Sequence, residues 1–165
     1  PTISPSMDIQ VSSNFERLLF DLCDRDGGHV ASMLDGFRET GRFSINAKAL
    51  EAAQVIFYGA RFDDEETKQV IRDVYENSDE LIDPHTAVGI AAARAQRRDR
   101  SVPMIALATA HPAKFPDAVE AATGVRPALP AHLADLHERQ ERCTVLPNDF
   151  DAVATFVTER ARGGE

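Results

Sequence analysis

Thr109, His111 and Lys114 fall within "TAHPAKF", the stretch that closes the apolar run "VPMIALA". A threonine hydroxyl can donate to or accept from a heterocyclic nitrogen, and a histidine or lysine can meet an anion or a carboxylate. If the apolar run is a strand buried on both faces, these side chains sit beyond its carboxyl end. Ligands of open α/β structures bind there, because loops diverge and helix N-termini present their N–H groups. The plainer alternative stays open: a threonine ending a strand, a histidine in a turn and an exposed lysine. A second set, Asp83 and His85, opens "DPHTAVG". Asp83 before Pro84 makes a good helix N-cap, so capping alone accounts for that carboxylate. Asp83, His85 and His111 carry donor atoms suited to a metal, but no H-x-x-x-H or clustered acidic pattern accompanies them, and no metal is expected. Nucleophilic catalysis has no support either: there is no G-x-S-x-G, and neither Cys23 nor Cys143 lies near a histidine in a recognised signature.

The elements that must position these residues are mostly helical. Ser13 and Glu16 have capping-box spacing, Phe15, Leu18, Leu19 and Leu22 follow at helical intervals, and Gly27 and Gly28 offer a stop. Val30, Met33, Leu34 and Phe37 repeat that spacing before Gly41. Asn46 caps a short helix through Ala53, after which "VIFYGA" has the composition of a strand. Acidic residues open a helix in "DDEETKQVIRDVYENSDEL", and Asp83–Pro84 opens the next. "VPMIALA" reads as a buried strand, and "PDAVEAATG", "LPAHLADLHERQ" and "NDFDAVATFVTERAR" as three further helices. A strand cannot stand alone, so its partners must come from a small sheet or from chain beyond this sequence.

The composition excludes several function classes. With 165 residues and 43% apolar side chains, the chain carries enough material for one core. Its 27 acidic residues outnumber 18 basic ones and give a net charge of −9, which repels phosphate backbones and anionic lipid. Neither a nucleic-acid partner nor a membrane is expected. No apolar stretch approaches the ~20 residues of a bilayer span and no secretory signal is evident, so a cytoplasmic location is expected. Two distant cysteines outside any C-x-x-C read as reduced thiols. The chain starts at Pro1, and the expectation is that it begins mid-protein.

Three stretches in order, "SPSMDIQVSSNFERLLF" from Ser4, "DPHTAVG" from Asp83 and "TAHPAKF" from Thr109, together with "GRF", resemble the C-terminal part of threonine synthase. That family comprises pyridoxal-phosphate enzymes of the tryptophan-synthase-β-like fold type. The resemblance implies an α/β fold class, here a helix-rich C-terminal fragment of a fold-type-II enzyme with one or two strands of its sheet, residues 1–165 forming a single segment. It implies conversion of O-phospho-L-homoserine and water to L-threonine and phosphate, with pyridoxal phosphate carrying the hard chemistry. Thr109 matches the family's hydroxyl partner of the pyridine nitrogen. Thr109 and His111 are the implied cofactor-binding residues, and Lys114, Asp83 and His85 the implied substrate-binding ones. The family's Schiff-base lysine motif and glycine-rich phosphate loop are not found; the lysines are Lys48, Lys68 and Lys114, and Lys114 is in the wrong motif. No catalytic residue is therefore assigned within the chain, which alone is expected to be inactive. Its expected partners are the substrate, the missing N-terminal part of the same enzyme and, through uncovered apolar surface, other copies of itself. A related phospholyase that eliminates phosphate without adding water, and a non-catalytic helical interaction domain, are the alternatives.

Overall fold

Helix starts in this chain are set by short polar side chains that accept orphan backbone N–H groups. In the computed structural model, which describes residues 1–161, Ser12, Asp26, Asn46, Asp63, Asp83 and Asp149 each do this. They open α1 (Ser13–Leu22), α2 (Gly27–Thr40), α3 (Ala47–Ile56), α4 (Asp64–Ser78), α5 (Pro84–Gln96) and α7 (Phe150–Arg160) respectively. Between the last two, α6 (Pro116–Thr123) starts at a proline, which needs no N–H partner. Two helices stop at glycines in the left-handed region, Gly41 at φ 71° and Gly124 at φ 76°, where a side chain would be strained.

The chain divides into two compact units, the first Pro1–Ala128, the second beginning at Leu129. Within the first, α4 packs against both α5 and α6. Ile71, Ala87, Val119 and Ala122 form the buried centre of that packing, flanked by Val70, Leu81 and Ile82. The small residues on α5 and α6 let the backbones approach, and Arg72 Nε donates to the Ala122 carbonyl at 3.0 Å, tying α4 to the end of α6. A second cluster forms where α1 meets α2 and α3. Leu19 is fully buried there, and Phe43 lies edge-on to Phe37 with ring centroids 5.7 Å apart. In the second unit, α7 is preceded by two short 3-10 turns, Ala131–Leu133 and Leu136–Glu138.

Two expectations are corrected. Among the described residues there is no strand, so the α/β description with one or two strands gives way to a helical one. The first two residues of "VIFYGA" continue α3, Phe57 is extended, and the stretch pairs with no strand among the described residues. "VPMIALA" forms no strand either, and Ile105 and Leu107 are 81% and 73% exposed. Their composition suits a covered pleated surface, but a strand is defined by pairing, and no neighbouring strand is present among the described residues. The helix expected over "LPAHLADLHERQ" is instead the pair of 3-10 turns, neither of which buries a residue.

Candidate functional site

Asp83 lies at the N-terminus of α5 and is fully buried. One carboxylate oxygen accepts the His85 backbone N–H at 2.9 Å and contacts His85 Nδ1 at 2.8 Å. The other accepts the Thr86 backbone N–H at 3.3 Å and the Thr86 hydroxyl. The far side of the imidazole is also engaged: the Ser6 N–H donates to His85 Nε2 at 3.1 Å. A ring that accepts at Nε2 and faces a carboxylate at Nδ1 carries its proton on Nδ1, which makes His85 a neutral bridge between the N-terminal stretch and α5. Burial is the largest influence on the Asp83 carboxyl and pushes its pKa up. The hydrogen bonds from Thr86 and His85 together outweigh it and hold the group below its ordinary value.

From this buried carboxylate the network reaches outward. The Thr86 hydroxyl, whose O–H donates to Asp83, accepts the Thr109 backbone N–H at 3.2 Å. The Phe115 ring lies against His85, centroids 4.6 Å apart. On the other side, residues 2–8 form a local knot in which Thr2 donates to Asp8 and Ser4 to Thr2. That knot is pinned to the first turn of α4 by the Ile3 N–H on Asp64, at 3.0 Å. Three stretches far apart in sequence thus meet at the start of α5.

The candidate residues fall into two groups. Asp83 and His85 are buried and have their polar atoms engaged internally. Thr109, His111 and Lys114 are exposed. No hydrogen bond of the Thr109 hydroxyl occurs among the described residues. His111 Nδ1 accepts the Ala113 N–H at 3.1 Å, so in the neutral ring Nε2 carries the proton and is left as a donor. Lys114 borders a cavity of about 480 Å3 shared with Ile3, Lys68, Phe115 and Asp117. Sequence reasoning missed Thr86 and the Ser6 amide. A signal for Thr86 existed, since the third residue after an N-cap is where a capping-box partner sits; nothing local marked Ser6.

Residues 86–157 match the family described as "Threonine synthase, C-terminal". The chain is 55% identical to threonine synthase of Pseudomonas aeruginosa over 166 aligned residues, 100% of this chain and 35% of that protein. With threonine synthase of Corynebacterium glutamicum it shares 38% identity over 96% of its length and 34% of the relative's. Among solved structures, the PLP-bound threonine synthase from Brucella melitensis superposes with a TM-score of 0.81 at 47% identity, covering 99% of this chain and 35% of that one. The yeast threonine synthase crystal structure gives 0.77 at 34% identity, covering 96% and 36%. The chain therefore spans about a third of the length of the relatives it matches. On these grounds it belongs to the threonine synthase family and corresponds to the C-terminal part of its members.

Proposed function

We propose that this chain, residues 1–165 as one segment, forms the C-terminal part of an enzyme that converts O-phospho-L-homoserine and water to L-threonine and phosphate with pyridoxal phosphate. The observation that carries the reading is the exposed Thr109 hydroxyl, without a partner among the described residues, on a backbone fixed at that same residue by Thr86. Such a hydroxyl fits a pyridine nitrogen. Being neutral, it donates a hydrogen bond without favouring ring protonation as a carboxylate would. Pyridoxal phosphate, when bound, would supply the electron sink that acidifies the hydrogen on the substrate's amino-bearing carbon and then those on the carbon beside it. His111 lies two residues further along the same stretch, with Nε2 left as a donor once Nδ1 accepts the Ala113 N–H, and we assign it to the cofactor. Lys114 offers an exposed ammonium for the anionic substrate at the mouth of its cavity. Asp83 and His85, which the resemblance implies as substrate-binding residues, are buried with their polar atoms occupied by internal partners, so we assign them to supporting the site rather than to touching the substrate.

The partner in this proposal is the rest of the same enzyme, which supplies the lysine that bonds the cofactor. It would also cover the apolar residues of 55–58 and 102–107 that are exposed here. A cytoplasmic location belongs to the same proposal; among the described residues no helix is long and apolar enough to cross a membrane.

The test uses the full-length enzyme that contains this chain. Thr109→Val should leave the fold intact by circular dichroism, shift the cofactor absorbance, and lower turnover at least about tenfold, the equivalent of one lost hydrogen bond of ~1.4 kcal/mol. Unchanged turnover and absorbance would eliminate Thr109 as the nitrogen partner. Product analysis decides the reaction itself, since threonine with phosphate supports the synthase and a keto acid with phosphate supports a phospholyase.

A further inference from the structure

We propose that Thr86 is a positioning residue: its hydroxyl, aimed by the Asp83 carboxylate, fixes the Thr109 backbone and so sets where the Thr109 hydroxyl meets its ligand. The inference rests on the reading of Thr109 given above and adds to it the device that holds Thr109 in place.

Among the described residues, the Thr109 N–H is the one backbone amide between residues 103 and 110 that finds a hydrogen-bond partner. By its backbone N–H groups the segment is therefore held at one residue, the one whose hydroxyl is assigned to the cofactor. The polarity of the anchor is fixed by proton count. Thr86 Oγ1 has one proton, which goes to Asp83, so only its lone pairs are left for the Thr109 N–H. The carboxylate cannot turn away, because its other oxygen is held by the His85 amide and ring. A hydroxyl that donates to a carboxylate is polarised and becomes a better acceptor, so the two bonds reinforce each other. The Asp83, His85 and Thr86 side chains are buried, which shields the bonds among them from competing water, and the bond to the Thr109 N–H is part-buried. A misplacement of about 1 Å at a reacting group can cost on the order of 10²-fold in rate, so an anchor at this position has leverage on turnover.

The experiment compares Thr86→Val and Thr86→Ser in the full-length enzyme. Residue-resolved hydrogen exchange on the cofactor-free protein reads the anchor directly. Thr86→Val should speed exchange of the Thr109 amide by about tenfold or more, while Thr86→Ser retains the unaltered rate. With pyridoxal phosphate added, Thr86→Val should shift the cofactor absorbance in the same direction as Thr109→Val and lower kcat with little change in KM, and serine should restore both. A Thr109 amide that stays protected in Thr86→Val, a serine variant that behaves like valine, or faster exchange with an unchanged spectrum would each overturn the proposal. If Thr86→Val does not fold, Asp83→Asn replaces it. Removing the charge that aims the hydroxyl should raise Thr109 exchange, and an unchanged rate overturns the proposal. Failure of the underlying reading shows separately, as a Thr109→Val enzyme whose cofactor spectrum does not move even though Thr86→Val loosens the Thr109 amide.

Discussion

At the scale of single residues, Asp83 combines a helix cap with the base of a polar network. Its carboxyl is held below the ordinary value, so the native state binds that proton less readily than the unfolded chain, whose carboxyl titrates near ~3.9. The sign follows: its contribution to stability is complete above the unfolded value and disappears as pH falls through the lower, folded one. Thermal melts of the full-length enzyme from pH 7 down to about pH 2 should therefore show an acid-side loss below about pH 4 that Asp83→Asn makes shallower. Asp83→Ala should cost about 2 to 4 kcal/mol at neutral pH, because a cap is lost and the donors of His85 and Thr86 are left buried. The Asp-Pro pair made the cap legible from sequence. What it could not show is that the same carboxylate would be spanned by Thr86 and His85, or that Ser6, far away in the chain, would supply a backbone donor. Those partners depend on tertiary packing, and no local pattern encodes them.

At the scale of elements, caps and stops were readable where one side chain or one glycine decides the outcome. Asn46, Asp83, Gly41 and Gly124 sit where expected. Elsewhere the pattern fitted two registers and the structure chose the other. Ser12 rather than Ser13 caps α1, and the reciprocal box forms instead at Asp63 and Glu66. Gly27 and Gly28, expected to end a helix, begin α2 behind Asp26. Asp63→Ala should lower stability by about 1 kcal/mol, whereas Ser13→Ala should change it by no more than a few tenths; chemical denaturation of each variant checks the pair. The two apolar segments were misread for another reason. Strand composition reports a preference for a covered, paired surface, while pairing itself lies outside the segment. The 3-10 turns after Leu129 carry helical spacing but bury nothing, and a short helix without a packed face gains too little to propagate.

At the scale of the whole molecule, opposing surface properties coexist. The net charge of −9 keeps copies apart, while Val55, Ile56, Phe57, Met104, Ile105 and Leu107 are exposed. The chain by itself should associate weakly at low ionic strength and more strongly as salt shortens the Debye length from about 30 Å to about 8 Å. Light scattering across concentration and salt checks this, and a strictly monomeric species throughout would contradict it. The bond from Ser6 to His85 joins positions 79 apart in sequence and the bond from Ile3 to Asp64 positions 61 apart. Closing loops of that size sacrifices chain entropy before any contact compensates. The N-terminal knot is then expected to dock late, onto helices already assembled. Its bonds would then act as a latch on the escape rate from the native state, so that Asp64→Ala should speed unfolding of the full-length enzyme and leave its refolding rate nearly unchanged.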